Sequence, residues 1–169
     1  MLVRSFIDRS AAILLQPHLY FTCDDDFMDF GDGSVYVAIM AILGALLAAV
    51  LGSAGSPYHS FGLVPALIIS PLAAVVTTFA MAGIIHVLCK ALGSQGDFGD
   101  SFHISASAAV FIPISQLLSA FSLMIVSIGW TWWVVSRGVI CVHHAEPRKA
   151  EIVFALLYAS LLLIATTND

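Results

Sequence analysis

Long runs of apolar residues, separated by short polar stretches, dominate the chain. A helix needs about 20 apolar residues, rising 1.5 Å each, to cross the ~30 Å hydrocarbon core of a bilayer. The pattern predicts an all-α integral membrane protein, a five-span transmembrane helix bundle. The predicted spans cover about residues 35–54, 63–88, 102–118, 121–141 and 151–165.

The third and fourth spans share one apolar run. From residue 103 to 141 no charge occurs before Arg137. A single helix of those 39 residues would be almost 60 Å long, about twice the membrane core. The run therefore predicts two spans, joined by a tight turn near Ser119 to Ser122.

Residues 1–33 precede the spans. Apolar and charged positions alternate with a helical period over residues 1–20, which predicts a short amphipathic helix in the membrane interface. A loosely ordered tail is the alternative. Residues 23–32 form an acidic loop, and Asp32 or Ser34 is the expected N-cap of the first span. The chain thus divides into an N-terminal cytoplasmic segment, 1–33, and a five-span domain, 34–169.

Composition supports a membrane location. Hydrophobic residues make up 60% of the 169 residues, against roughly 45–50% in soluble domains. Charged residues make up 10%, against about 25%. A soluble domain could not cover so much apolar surface with so little charge. The net charge of −5 and the lack of a basic stripe argue against nucleic acid as a partner.

The basic residues predict an orientation. With five crossings, the N-terminal segment and the loops after the second and fourth spans share one side. All six basic residues fall on that side: Arg4, Arg9, Lys90, Arg137, Arg148 and Lys149. The positive-inside rule then predicts a cytoplasmic N-terminus and an outside C-terminus. The three cysteines (Cys23, Cys89 and Cys141) fall on the reducing side, so no disulfide is expected.

Candidate chemistry is sparse. His86, Cys89 and His143 are transition-metal ligand types placed at the cytoplasmic ends of predicted spans. Their spacing matches no zinc signature, so interfacial histidines and a buried thiol are the competing interpretation. No catalytic motif is present, and no cofactor is expected.

Small residues recur every four positions in the first span, at Gly44, Ala48 and Gly52. This spacing lets another helix approach closely. Mildly polar residues in the third span, such as Ser105 and Ser115, keep a transport role open.

Three features resemble the Ypt-interacting protein (Yip) domain family, in a bacterial-type member, over about residues 14–165. Pro17 and Phe21 precede the first span. A glycine-rich loop leads into a serine- and alanine-rich span containing Pro113. Arg148 precedes the last span. The loop carries most of the likeness, through Lys90, Gly93, Gly96 and Phe98.

The resemblance implies five helical spans and a cytoplasmic N-terminus, here in a bacterial cytoplasmic membrane. Eukaryotic relatives act in vesicle trafficking and bind Rab GTPases, but their Asp-Leu-Tyr-Gly-Pro motif is absent here, where residues 20–26 read Tyr-Phe-Thr-Cys-Asp-Asp-Asp. We therefore expect a non-enzymatic protein that organises membrane lipid or partner proteins, with the bilayer, a membrane protein or a second copy as partner. A small transporter or channel for a solute, lipid or metal ion is the alternative.

Overall fold

A computed structural model describes residues 2–22, 27–51 and 62–167. Over these ranges the chain is built of helices and contains no β-strand. A short 3₁₀ turn, Ala108–Val110, joins the fifth and sixth helices. The α-helices are α1 (Leu2–Leu15), α2 (Pro17–Thr22), α3 (Phe30–Leu51), α4 (Leu63–Ala91), α5 (Phe98–Ser107), α6 (Phe111–Ser119), α7 (Met124–Val142) and α8 (Pro147–Thr167).

Four helical stretches are long and apolar enough to cross a membrane. They are α3, α4, the stretch Phe98–Ser119 that includes α5 and α6, and α7. The multi-span helical bundle predicted from the sequence is thereby confirmed. The fifth predicted span falls on α8, which has 21 residues and begins four residues earlier than expected. Its crossing stays a prediction.

The predicted turn between the third and fourth spans is confirmed. α6 ends at Ser119, and α7 begins at Met124. The Leu123 N–H donates to the Leu118 carbonyl (2.8 Å), and the Ser122 N–H donates to the Ser119 carbonyl (3.0 Å). Ser122 has a φ of 58°, in the left-handed region that ends many helices.

The predicted N-cap of the first span was wrong. α3 begins at Phe30, and the Asp32 N–H donates to the side chain of Asp29 at 2.8 Å. The Ser34 hydroxyl donates instead to the Phe30 carbonyl, one turn back along the helix. Asp29 and Asp32 therefore lie at the start of α3, where negative side chains interact favourably with the helix dipole. The other acidic residues predicted for this loop, within 23–26, lie outside the described residues.

The N-terminal helices fold onto the bundle. Ile13 of α1 is fully buried, and the Ser10 hydroxyl lies 3.0 Å from the Tyr36 hydroxyl of α3. The Phe6 and Tyr36 rings are 5.1 Å apart. Pro17 is the first residue of α2, a position whose N–H would have no partner within the helix, so proline costs no helical hydrogen bond there. The interfacial location predicted for this segment stays a prediction.

α3 lies at the centre of the bundle and packs on α4, α5 and α6. Because successive long helices run in opposite directions, the chain has two distinct ends. We call the end that holds Ala91, Phe98 and His143 the loop end, after the connection between α4 and α5. The opposite end holds the turn between α6 and α7.

α4 continues from Leu63 to Ala91 with Pro71 inside it. Its 29 residues correspond to a length of about 43 Å, well above the ~30 Å of a membrane core. The helix therefore has about 13 Å to extend beyond that core. Pro71 does not end the helix, which continues on both sides of it.

Candidate functional site at the loop end and in a lateral cleft

α4 ends at the loop end in a cap that needs glycine. Gly93 has a φ of +82°, which costs little without a side chain. The Ser94 N–H donates to the Cys89 carbonyl (2.9 Å), and the Gly93 N–H donates to the Lys90 carbonyl (3.0 Å). These two bonds form a Schellman motif and satisfy carbonyls that the helix end leaves free. Lys90 itself is exposed.

α5 starts from the same loop with a capping box. The Asp97 side chain accepts from the Asp100 N–H at 3.0 Å, and the Asp100 side chain accepts from the Asp97 N–H at 2.7 Å. Two donors at the start of the helix are satisfied in this reciprocal way. The loop thus has fixed geometry at both of its ends.

His143 caps the end of α7 and is 1% exposed. Its Nδ1 lies 3.1 Å from the Ser94 hydroxyl oxygen, and its Nε2 lies 2.9 Å from that of Ser101. Because the Ser94 hydroxyl donates to the His143 carbonyl (2.8 Å), Nδ1–H donates to the Ser94 hydroxyl oxygen. The Ser101 hydroxyl has two acceptors in reach, Nε2 of His143 at 2.9 Å and the Asp97 carbonyl at 3.4 Å, and the shorter distance favours donation to Nε2. Donation from Ser101 to Nε2 corresponds to a neutral imidazole. Burial lowers the pKa of His143 in the same direction, although the nearby Asp100 carboxylate opposes the shift.

Gly96 lets the loop lie directly on the imidazole. A Cβ at this position would overlap the His143 ring, with Cε1 only 2.7 Å away, and would come within 2.9 Å of Asp100 Oδ2. The Gly96 N–H also donates to the Ser94 hydroxyl at 3.2 Å. The family-motif loop is therefore fixed against α7 at a point where no side chain fits.

His86 links α4 to the same loop. Its Nδ1 lies 3.2 Å from the Asp97 carbonyl and 3.5 Å from the Ser101 hydroxyl. Its ring meets Phe98 edge to face, with centroids 6.0 Å apart. Hydrogen bonds among the histidines and serines of the loop end thus connect α4, α5 and α7.

The predicted metal ligands are only partly brought together. His86 and His143 share Ser101, and Cys89 is buried one turn from His86 in α4. Within the described ranges, no three His, Cys, Asp or Glu side chains converge as a metal-binding set. Cys141 contacts His18 of α2 instead, with Sγ and Nδ1 3.3 Å apart. Metal binding stays an untested prediction.

His103 was not singled out by the sequence as a structural link, yet it anchors the N-terminal segment. It is 3% exposed, and its Nδ1 accepts from the Met28 N–H at 3.0 Å. The Phe27 ring stacks on it at 4.7 Å and the Tyr20 ring at 5.6 Å. The aromatic residues that flank the acidic loop were the signal that could have indicated this packing.

The predicted small-residue positions partly form a helix contact. A Cβ at Gly44 would lie 2.7 Å from the Ile112 side chain of α6, and Ala48 is buried. Gly52 lies outside the described residues. Two close approaches were missed: a Cβ on Gly33 would lie 2.6 Å from Phe102, and one on Gly138 would lie 2.9 Å from Ile104.

A lateral cleft of about 520 Å³ lies between α4 and α7, with α5 and α6 behind it. Its lining is mainly apolar, including Met81, Ile85, Ile112 and Trp132. Several lining residues carry a hydroxyl group: Ser70, Thr77, Thr78, Ser105, Ser115 and Thr131. Exposed residues such as Ala73 and Ile84 line the cleft, so it opens on the side of the bundle.

Ser70 differs from Ser105 and Ser115, whose hydroxyls have hydrogen-bond partners. Ser105 donates to the Thr78 carbonyl at 2.9 Å, and Ser115 pairs with Ser127. Ser70 is 2% exposed, and its Oγ has no hydrogen-bond partner. Among described side chains, Arg9 Nε is the other buried polar atom without one. Leaving a buried hydroxyl unpaired costs roughly 1–3 kcal/mol, so the group calls for an explanation.

Comparison with known proteins gives one match. The family model described as the Yip1 domain matches residues 13–167, which is most of the chain. A search of curated proteins and a search of solved structures each found no match.

Proposed function

Since the chain belongs to the Yip1 domain family, we propose that it is a non-enzymatic five-span membrane protein that organises lipids or partner proteins. One observation carries the proposal. The described Asp, Glu, Lys and Arg residues of the four membrane-length stretches are Asp32, Lys90, Asp100 and Arg137, and all lie towards the loop end. The rest of those helices presents apolar surface and mild hydroxyls to the bilayer.

The state of the loop end supports a structural role for its histidines rather than catalysis. A general base or nucleophile must reach a substrate with a free polar atom. Both ring nitrogens of His143 are instead occupied by Ser94 and Ser101, and the imidazole is buried. The network fixes the loop on α7, which leaves the membrane-facing sides as the surface for lipids and partners.

The proposal includes a topology. Residues 1–33 form the cytoplasmic segment and 34–169 the membrane domain of a bacterial-type protein in the cytoplasmic membrane. The loop end faces the cytoplasm, because Lys90, Arg137 and the Arg148–Lys149 pair all lie there. α8 then makes the fifth crossing. It packs on α7 through Phe154 and Trp132, whose ring centroids are 5.6 Å apart.

Cysteine labelling tests this topology. The three native cysteines are replaced by serine, and Gln95→Cys or Ser122→Cys is added, since both positions are exposed. We expect a membrane-impermeant maleimide to label Ser122→Cys in intact cells and Gln95→Cys only after permeabilisation. Reversed labelling would refute the orientation, and labelling of both from one side would refute the five-span path.

Cross-linking tests the organising role. A photoreactive residue at Val76, which is 69% exposed on α4, samples the membrane-facing surface beside the cleft. Ser122, in the turn at the opposite end, is the matched control position. We expect a discrete adduct with one protein, or with a second copy, from Val76 and not from Ser122. Recovery of the monomer alone, without a specific lipid, would contradict the proposal.

A small transporter for a solute, lipid or metal ion is the second candidate. The cleft favours it, because its hydroxyls extend from Ser70 to Ser105 along an otherwise apolar wall. Proteoliposomes containing the full chain distinguish the two functions. Flux of an ion, a metal or a labelled lipid above that of empty vesicles would support transport. The absence of such flux would favour the organising role.

A further inference from the structure

The dimensions of the cleft restrict what can fill it. Its wall on α4 runs from Ser70 to Leu88, which is about 27 Å of helix. A volume of about 520 Å³ spread over that length makes the cleft long and narrow. An α-helix is about 10 Å across with its side chains, so a helix of the same length would need several times this volume. A single hydrocarbon chain is narrow enough.

The volume also falls within the range of ligand sites, which run from about 300 to 1,000 Å³ and combine apolar walls with a few polar groups. Here the walls are alanine, isoleucine, methionine and aromatic side chains. No Asp, Glu, Lys or Arg lines the cleft. This lining suits an uncharged, elongated apolar group.

Ser70 adds a hydrogen-bond requirement. Ser70 is a lining residue of the cleft and is 2% exposed, and its Oγ is buried without a partner. Serines in membrane helices commonly donate to the carbonyl four residues earlier, as Thr78 does to Ala74 at 2.8 Å. Ser70 makes no such bond. If the Ser70 side chain turns towards the cleft, an acceptor on the ligand would satisfy the hydroxyl.

The depth of Ser70 identifies the kind of acceptor. α4 is about 43 Å long, so if it extends equally beyond both sides of a ~30 Å core, about 7 Å of it lies outside at each end. Ser70 stands seven residues, or about 10 Å, from Leu63. It therefore lies within a few ångströms of the boundary between the apolar core and the head groups, where the ester carbonyls of glycerolipids are found.

We propose that the cleft binds one membrane glycerolipid, whose ester carbonyl accepts a hydrogen bond from Ser70. One acyl chain then lies along α4 towards Met81, because a single leaflet covers about 15 Å, or some ten residues of helix. The inference deepens the proposed function, on which it rests, by naming lipid as the ligand and the cleft as its site.

Native mass spectrometry of the delipidated full chain tests the inference. The two ligands are a diacyl phosphatidylglycerol and its dialkyl ether analogue, which has the same head group and chains but no ester carbonyl. Ser70→Ala removes the donor. Ala74→Trp and Ala73→Phe fill the cleft, while Ala80→Trp, on an exposed part of α4 outside the lining, is the matched control.

We expect one diacyl lipid per wild-type chain, bound more tightly than the ether analogue. Ser70→Ala should weaken diacyl binding roughly three- to tenfold and remove the preference over the ether. Both cleft-filling variants should lose the bound lipid, and Ala80→Trp should keep it.

Retained lipid in both cleft-filling variants, or an unchanged ester preference in Ser70→Ala, would overturn the inference. A dimer that depends on Ala74 and carries no lipid would also overturn it, since a second copy would then occupy the cleft. If the cleft binds no lipid but Val76 still cross-links to a specific protein, this inference fails and the proposed function stands. If neither is found, both fail.

Discussion

The loop end and the lateral cleft both bury hydroxyl groups in one helical bundle, but they satisfy them differently. At the loop end, Ser94 and Ser101 occupy both ring nitrogens of His143. In the cleft, Ser70 is comparably buried and has no partner. Polar groups that bond to each other hold helices together, whereas a buried group without a partner is available to a ligand. The comparison separates a structural region from the proposed lipid-binding region.

The largest expected effect comes from Gly96→Ala at the loop end. The new Cβ would overlap the His143 ring, so the loop must leave α7 or the imidazole must move. We expect a loss of about 1–3 kcal/mol in the free energy of unfolding, measured by thermal unfolding in detergent. Gly83→Ala in α4 is the control. Its Cβ meets nothing within 4 Å, so equal losses in the two variants would contradict the account.

Removing one hydroxyl from each region tests the comparison itself. Ser101→Ala leaves Nε2 of His143 buried without a donor, which should cost about 1–2 kcal/mol of unfolding free energy. Ser70→Ala removes a buried hydroxyl that has no protein partner, so in lipid-free detergent we expect no loss of unfolding free energy and a gain of up to about 1–3 kcal/mol. The two variants are compared by the same unfolding assay. Similar losses of unfolding free energy in Ser101→Ala and Ser70→Ala would show that Ser70 has a protein partner.

Acid should destabilise the loop end through His143. Its pKa is lowered by burial, so the folded state binds fewer protons than the unfolded state below the ordinary value of 6.5. The contribution of neutral His143 to the free energy of unfolding is fully present above pH 6.5 and decreases as the pH falls below it. We expect the slope of unfolding free energy against pH, which is at most about 1.4 kcal/mol per pH unit for one group, to be smaller in His143→Asn than in the wild type. His144→Asn, at an exposed neighbour, should keep the wild-type slope, and equal slopes in all three proteins would be the contrary result.

Much of the fold followed from local pattern. Apolar run lengths located the long helices, and the length of a single helix forced the split near Ser119. Gly93 was recognisable as part of the motif loop, and glycine is the usual residue at a left-handed helix cap. These features depend on neighbours in sequence, which is why they were accessible without a structure.

The rest depended on residues that are distant in sequence. Ser94 and His143 are 49 positions apart, so their pairing required the loop after α4 to lie against the end of α7. Ser122 adopts a left-handed φ without being glycine, which no local rule would favour. The isolation of Ser70 was the least accessible feature. A serine next to a proline in an apolar run gives no sign of whether its hydroxyl will find a partner.

The most direct test of the binding region is a contact between Ser70 and a lipid carbonyl. Solid-state NMR on the full chain in bilayers, with ¹³C-labelled serines and ¹³C-carbonyl glycerolipid, measures it. The account predicts a serine–carbonyl cross-peak that disappears in Ser70→Ala and persists in Ser160→Ala, an exposed serine of α8. A cross-peak spectrum that is the same in Ser70→Ala as in the wild type would contradict it.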